Sequence, residues 1–397
     1  MNILYFHQHF STPQGSTGTR SYEFARALIK RGHQVTLVCG SYWIANSGLS
    51  GDYINGVRSG DVDGIKIIQL ELPYSNSDNL IKRTLLFFKY AMIGVRISLT
   101  YSYDLIFATS TPLTAGIPGI FAKLLRRKPF IFEVRDLWPE LPRAMGVIKN
   151  PIVLKLMDIL ETLSYKYADR CVALAPGMAQ GITRKYPQKK VAIIPNGSDN
   201  FLPASNIRKL NKKFIAVFAG AHGQANGLHA VLDVALLLKN REELDIEFQF
   251  IGDGKLKPML VERAKNEKLD NCLFLAPMPK LKLFQYLHDT ADIGLMILDN
   301  IPAFYNGTSP NKFFDYLSLG LPVLNNYPGW IASLIQDNNC GRVVPPGDSL
   351  SFAETLIELR NRDRDRNEMG LNALRLSKER FGRKLLADKF VEFLVTG

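Results

Sequence analysis

The sequence predicts an α/β protein built as two doubly wound domains that face each other across a cleft. Two patterns and one bound predict it. Short apolar runs alternate with helical patterns in two successive series, as expected of parallel sheets covered by helices on both faces. Several of those runs end in glycine-rich or polar turns, which puts the turns at the carboxyl edge of a sheet, where such sheets bind ligands. The bound is length, because 397 residues exceed what one hydrophobic core usually serves.

The first series opens with residues 2–7, an apolar run suited to one buried strand. A polar loop with Gly15 and Gly18 follows, then a helical pattern through Tyr22, Phe24, Ala25, Leu28 and Ile29 that stops at Arg31-Gly32. Residues 35–39 complete a βαβ unit. The loop G-S-T-G lacks the third glycine of the dinucleotide fingerprint. It reads either as a flexible turn or as a place where a ligand approaches the backbone closely. Residues 41–63 are polar and glycine-rich, a loop or small hairpin, and residues 65–72 are the third strand. The triplet Asp61-Val62-Asp63 has the look of a metal-binding D-x-D, but Gly60 and Gly64 flank it and a turn explains the carboxylates better.

Residues 80–101 are a long apolar helix on which Lys82, Lys89 and Arg96 recur every seven residues and share a face. Charges in its middle argue against a membrane span. Between Lys82 and Lys128 there are eight Lys or Arg against one acid, Asp104. A helix buried on the sheet with a solvated basic face gives this pattern, and so does a helix lying on an anionic membrane surface. The basic surroundings beyond the helix favour the membrane. The alternation continues with strand 104–108, helix 115–125 and strand 130–134, the last followed by R-D-L-W-P-E. Helix 151–168, strand 171–174, helix 176–186 and strand 191–194 close the series at P-N-G. Residues 198–213 are polar and aperiodic, so the linker is placed there, with a first domain at 1–200 and a second from 201 to 380.

The second series repeats the pattern. Strand 214–219 leads into a turn from Gly220 to Gly227 that holds His222 and Gly223. Strand 248–251 leads into Gly252-Asp253-Gly254, strand 272–275 into Pro277-Met278-Pro279, and strand 293–298 into the stretch S-P-N-K-F-F-D-Y-L-S-L-G-L-P at 309–322. That stretch reads as a helix with Asn311 as N-cap, an apolar face through Phe313, Phe314, Leu317 and Leu319, and a stop at Gly320. Lys312 lies in its first turn, where the helix dipole disfavours a cation. A lysine beside free helix N–H groups wants an anion. Asp315 follows on the same face. A phosphate next to a sugar hydroxyl would satisfy both, while a surface Lys–Asp pair is the plain alternative.

Candidate binding groups gather at these turns. The Gly220 turn, with His222 and Gly223, and the helix mouth formed by Thr308, Ser309, Asn311 and Lys312 can present donors to a phosphate. Asp253 and Met278 sit on neighbouring strand ends and could wall a flat base. In the first domain Asp136 could orient an acceptor hydroxyl or stabilise developing positive charge, with Arg135 keeping it ionised. Trp138 offers a face on which a sugar could stack.

Composition is that of an ordinary soluble protein, with 46% hydrophobic and 22% charged residues. A net charge of +12 favours anionic partners. No recognised nucleic-acid module accompanies it, so nucleic acid is not an expected partner. Cys39, Cys171, Cys272 and Cys340 are widely spaced and read as reduced thiols of the cytosol. The first residues, M-N-I-L-Y-F, do not read as a signal peptide.

Taken in order along the chain, these motifs resemble the family 4 glycosyltransferases of GT-B fold, in particular the branch that builds bacterial O-antigen and capsule polysaccharides. The resemblance rests on the Gly15–Gly18 loop, R-G-H-Q-V-T-L-V at 31–38, E-V-R-D-L-W-P-E at 133–140, I-P-N-G at 194–197, F-I-G-D-G at 250–254, and S-P-N-K…D-Y…G-L-P-V. It implies two Rossmann-like domains, with donor nucleotide in the second, acceptor in the first, and residues 381–397 packing back on the first. It implies retaining sugar transfer from a nucleotide donor, without metal or other cofactor. Asp315 matches the family's ribose-binding carboxylate, one carbon shorter than the usual Glu. The partner carboxylate eight residues earlier falls at Gly307, so sugar contacts are left to Thr308 and Ser309. The Gly220 turn lacks the usual Arg and Lys, which leaves the phosphate charge to Lys312.

The expected activity is transfer of a sugar, such as an N-acetylated amino-deoxy sugar, from a UDP-sugar to a lipid-linked saccharide. The expected location is cytoplasmic, peripheral on the inner face of the plasma membrane. Asp136 and Lys312 are the expected catalytic residues. Donor contacts are expected from Gly15, Gly18, His222, Gly223, Asp253, Met278, Thr308, Ser309, Asn311, Lys312 and Asp315, and acceptor contacts from Arg135 and Trp138. A UDP-sugar epimerase and a non-catalytic nucleotide-sugar-binding partner are the alternatives.

Overall fold

The computed structural model describes residues 1–75, 78–198 and 213–396. The chain divides into two compact units. One comprises Met1–Pro195, Asn306–Ser309 and Arg383–Gly397, the other Asn196–Tyr305 and Pro310–Gly382. The expected linker at 198–213 lies almost wholly outside the described residues.

In the first unit the elements run β1 (Asn2–Phe6), α1 (Arg20–Lys30), β2 (Gln34–Tyr42), β3 (Val57–Val62), β4 (Ile65–Tyr74), α2 (Leu80–Thr100) and β5 (Leu105–Thr109). They continue as α3 (Ile117–Arg126), β6 (Phe130–Val134), α4 (Glu140–Ala144), α5 (Pro151–Tyr167), β7 (Arg170–Ala173), α6 (Pro176–Lys185) and β8 (Lys190–Ile193). The described strands form one sheet in the order β3-β4-β2-β1-β5-β6-β7-β8. Only the β3–β4 hairpin is antiparallel. Its turn holds the D-x-D triplet: Gly64 N donates to Asp61 Oδ1 at 2.8 Å and Tyr22 OH to Asp63 Oδ2 at 2.7 Å. Strands β5 and β6 are buried at every residue, which is why they read as unbroken apolar runs.

The second unit runs β9 (Phe214–Ala219), α7 (His229–Asn240), β10 (Ile246–Ile251), α8 (Lys257–Asn266), β11 (Cys272–Leu275), α9 (Lys280–Thr290) and β12 (Ile293–Met296). Then come α10 (Asn311–Ser318), β13 (Val323–Asn325), α11 (Trp330–Asp337), β14 (Gly341–Val343), α12 (Ser349–Asn361) and α13 (Asp363–Leu376). Its described strands form a parallel sheet in the order β11-β10-β9-β12-β13-β14. The last helix, α14 (Arg383–Val395), belongs to the first unit. Phe390 stacks on Phe24 of α1 at 4.1 Å, and Arg383 reaches Glu23. Such a stacked pair contributes ~1 kcal/mol beyond burial.

Strand order fixes where ligands can bind. The winding reverses between β1 and β5 in the first sheet and between β9 and β12 in the second. A doubly wound sheet opens a crevice at the carboxyl ends of such strands. The turn after β9 and the approach to α10 border one crevice, and residues 7–12 and 110–112 border the other.

Candidate active site

In the second unit, α10 is an apolar helix with two charged residues, Lys312 and Asp315. Phe313, Phe314, Tyr316 and Leu317 are fully buried, and Asp315 is 7% exposed. The helix begins at Asn311 with Pro310 as its N-cap and no side-chain cap. This corrects the assignment of Asn311 as cap. Pro310 has extended backbone (φ −73°, ψ 125°) and no N–H to satisfy, so the helix starts one residue earlier than an Asn311 cap would set it.

Lys312 turns back across the β9 strand end. Its Nζ donates to Asn226 Oδ1 at 2.7 Å and lies 4.0 Å above the Phe218 ring. Its stem occupies the space that a side chain on Gly220 would fill. Burial lowers its pKa to about 7, and its hydrogen-bond partner is a neutral amide. Such an ammonium is pre-placed for an incoming anion. Asn226 is held in turn by Nδ2 donating to Ala221 O at 2.8 Å.

Asp315 is gripped by Lys280 at the start of α9, with Nζ to Oδ2 at 2.5 Å. The other oxygen, Oδ1, is buried without a hydrogen-bond partner. A buried carboxylate oxygen left open is a costly vacancy that a ligand hydroxyl would fill. Lys280 escaped sequence reasoning because it sits 35 residues before Asp315 and meets it only in the tertiary fold.

The remaining second-unit candidates divide. Gly223 has open space where a side chain would project and leads into the helical turn Gln224–Asn226. Asp253 is exposed, its Oδ1 accepting from Gly254 N at 2.8 Å. Met278 is half-buried just before α9. Gly252 adopts φ +145°, and a side chain there would collide with Gly220 O, so the chain leaving β10 passes this close to the turn after β9 only because it is glycine. His222 is fully buried among Phe218, Phe250 and Phe274, with both ring nitrogens unpartnered. Burial and then the Lys257 charge lower its pKa to about 4. Such an imidazole is neutral and turned into the protein. Thr308 and Ser309 lie in the segment that groups with the first unit.

In the first unit, Asp136 follows β6 and is half-buried. Burial raises its pKa to about 6 against the opposing pull of Arg135 and a hydrogen bond with Thr111. Arg135 therefore does not hold it at an ordinary carboxylate value, because burial is the larger effect. The Arg135 guanidinium instead meets His7, Nη1 to Nε2 at 3.2 Å. Its N–H donates to Ser110 Oγ at 2.9 Å, tying the β6 end to the β5 end. Trp138 is half-buried with Nε1 unpartnered. Gly15 is spent on packing: a side chain there would strike Ser11 Oγ and the Asn46 backbone. Gly18 is exposed one residue before Thr19, the N-cap of α1.

Beneath these groups Arg20 and Glu133 form a buried ion pair that sequence reasoning also missed. Arg20 Nε and Nη2 donate to Glu133 Oε2 at 2.9 and 2.8 Å. Arg20 also donates to the Pro195 and Ile194 carbonyls at 2.7 Å, and Thr109 donates to Glu133 Oε1 at 2.7 Å. One arginine thus ties the Gly15–Gly18 loop, the E-V-R-D strand and the I-P-N-G turn together. Among the described residues no group of three or more His, Cys, Asp or Glu side chains could hold a metal ion.

Two doubly wound sheets, each with polar groups at its switch point, are the architecture of the GT-B fold. The chain belongs to the family 4 type: a glycosyl transferase 4-like domain matches residues 15–197, and a glycosyl transferases group 1 domain matches residues 213–362. An O-antigen chain mannosyltransferase C from Escherichia coli is 25% identical over 261 residues, covering 63% of this chain and 67% of that protein. Among solved structures, the sucrose-phosphate synthase of Thermosynechococcus elongatus superposes with a TM-score of 0.75 at 14% identity, covering 99% of this chain and 98% of that one. The Anabaena protein HepE in complex with UDP-glucose gives 0.69 at 15% identity over both full chains. WaaG, a glycosyltransferase involved in lipopolysaccharide biosynthesis, gives the same TM-score and identity over both full chains.

Proposed function

We propose that this glycosyltransferase moves a hexosyl group from a UDP-sugar to a lipid-linked saccharide, with retention at the anomeric carbon and without a metal ion. The observation that carries the reading is Lys312: a half-buried ammonium with a pKa near 7, held by a neutral amide beside the glycine-cleared end of β9. A diphosphate supplies the charge it lacks. Asp315, with Oδ1 open, takes a ribose hydroxyl. The likeness to HepE, whose structure holds UDP-glucose, supports uridine as the base.

Retention is accounted for by substitution on one face of the sugar, without a covalent intermediate. As the anomeric C–O bond breaks, negative charge grows on the leaving diphosphate. Lys312 and the N–H groups at the mouth of α10 stabilise it. The leaving oxygen takes the proton of the acceptor hydroxyl as that hydroxyl attacks. Asp136 orients the acceptor, and Trp138 and Arg135 flank it. For the sugar, the mannosyltransferase relative supports mannose as a second reading.

The test is a panel of UDP- and GDP-sugars screened by thermal shift, followed by transfer to a short lipid-linked acceptor and determination of the product anomer. A UDP-hexose that both stabilises the protein and yields a retained linkage supports the reading. Stabilisation with no transfer to any saccharide acceptor, or an inverted product, overturns it.

A further inference from the structure

Unpaired polar atoms gather at the carboxyl end of β1. His7 and Gln8 are 3% and 1% exposed. His7 Nδ1, both amide atoms of Gln8 and His9 Nδ1 are buried without a hydrogen-bond partner among the described residues. In the first turn of α2, Arg83 Nε is in the same state. The Tyr74 ring joins the two elements, 4.6 Å from the His9 ring and 5.6 Å from the Arg83 guanidinium. Phe87, one turn on from Arg83, packs against the His9 and Tyr74 rings at 6.2 and 5.5 Å. A buried polar atom left unpaired costs about 1–3 kcal/mol, so a cluster of them marks a place that a polar group completes.

The charge at this place is one-sided. Arg135 Nη1 lies 3.2 Å from His7 Nε2. A guanidinium only donates, so Nε2 accepts and the ring proton of His7 sits on Nδ1. Burial, then Arg135 and then His9 hold the His7 pKa well below the usual imidazole value. His9 feels both arginines: burial, then Arg135, then Arg83 lower its pKa to about 3. Both imidazoles are neutral, and the His7 Nδ1–H is a donor without an acceptor. Lys82 is paired with Asp78 at 2.7 Å, whereas among the described residues neither Arg83 nor Arg135 has a carboxylate within ion-pair reach. Asp136, next to Arg135, is governed by burial. Two guanidinium groups near one neutral ring repel each other until an anion enters.

A guanidinium fork suits the paired oxygens of a phosphate or a carboxylate. Arg135 directly precedes Asp136, so their α-carbons are about 3.8 Å apart and an anion at the one neighbours the hydroxyl oriented by the other. We propose that the end of β1 is an oxyanion site for the acceptor, in which Arg83 and Arg135 hold an acidic group carried by the reacting sugar itself, beside the unpaired donors of His7 and Gln8. The site rests on the reading of the protein as a transferase to a saccharide, and it makes that saccharide acidic at its reacting end. The acid is a phosphate where the sugar is joined to its lipid through a diphosphate, and a carboxylate where the sugar is a uronic acid.

Binding measured by calorimetry, with UDP saturating and no sugar donor present, tests this without turnover. A failure of sugar transfer and a failure of this site are then separate results. Three probes share one ring: hexyl glucoside, hexyl glucuronide and glucosyl hexyl diphosphate. One acidic probe should bind at least about tenfold tighter than the glucoside, and which one does so identifies the acid. Arg83→Gln should weaken that probe by about 10- to 100-fold, and Arg83→Lys, which keeps the charge, by less. UDP affinity, set in the other unit, should stay at the parent value. If Arg83→Gln also loses UDP affinity it has misfolded, and Arg135→Gln, on a different element, carries the test with the same expected loss. The site is overturned if the glucoside binds as tightly as both acidic probes, if no probe binds, or if the folded glutamine variant keeps the preference.

Discussion

Lys312 Nζ donates to Asn226 Oδ1 at 2.7 Å, so the cation nearest the β9 strand end is held by a group that carries no charge. Burial sets its pKa at about 7, and only an incoming anion would raise it. The linkage has a definite sign. Below pH 7 the free protein already carries the proton, and diphosphate meets a full charge. Above pH 7 the ammonium must be re-formed on binding, at a cost that grows by up to about 1.4 kcal/mol per pH unit until the pKa of the complex is passed. UDP affinity, measured by calorimetry, should therefore fall by up to about tenfold per unit above pH 7. Proton uptake should show as a dependence on buffer ionisation enthalpy. Lys312→Arg, charged throughout, should flatten the profile. A profile unchanged in that variant would remove Lys312 from the phosphate site.

Asp315 presents one free oxygen because Lys280 occupies the other. Asp315→Ala should weaken UDP binding by about 10- to 100-fold, the scale of a charged hydrogen bond lost together with a stranded lysine. Lys280→Met frees the second oxygen but leaves the carboxylate less well held. A loss in that variant smaller than in Asp315→Ala would show Lys280 acting through Asp315. An equal or larger loss would make Lys280 a direct ligand. Equilibrium binding of UDP to the three proteins separates these outcomes.

The alternation of strands and helices was legible because a parallel strand buried on both faces is written as an unbroken apolar run. Strands β5, β6 and β9 are such runs, buried at every residue. Helix α10 was legible for the complementary reason: its charged residues, Lys312 and Asp315, stand out against Phe313, Phe314 and Leu317. What the residue order hides is which groups tertiary contacts bring together and how deeply. Lys280 reaches Asp315 across two helices, and Arg20 reaches Glu133 across 113 residues. His222 sits in a glycine-rich turn, and only the fold turns its ring inward among three phenylalanines. Arg135 beside Asp136 suggests an ordinary ionised pair. Burial, which a sequence does not display, outweighs it.

That reversal at Asp136 has a kinetic consequence. Its pKa is raised to about 6, chiefly by burial, so the carboxylate is mostly protonated below that pH. If the ionised form orients the acceptor, kcat/KM should rise with pH through about 6 and level off near 7. Asp136→Asn should abolish that limb and lower kcat/KM by about 10- to 100-fold, the scale of a lost charged hydrogen bond to the acceptor. A rising limb that persists in Asp136→Asn belongs to another group and would leave Asp136 a structural residue.

The Arg20–Glu133 pair makes a different kind of prediction, one about folding. Glu133 is fully buried and Arg20 is 8% exposed, so removing the arginine strands a carboxylate inside the sheet with Thr109 as its remaining donor. Arg20→Met should destabilise the protein by about 3–5 kcal/mol. It should also loosen the I-P-N-G turn, whose two carbonyls lose their donor. Replacing both charged partners removes the stranded charge. Arg20→Met with Glu133→Leu should therefore be more stable than Arg20→Met alone, a non-additivity that chemical denaturation of the two variants reads directly. If the double variant is less stable than the single, Glu133 is held by contacts other than Arg20, and the pair is not what fastens the three motifs.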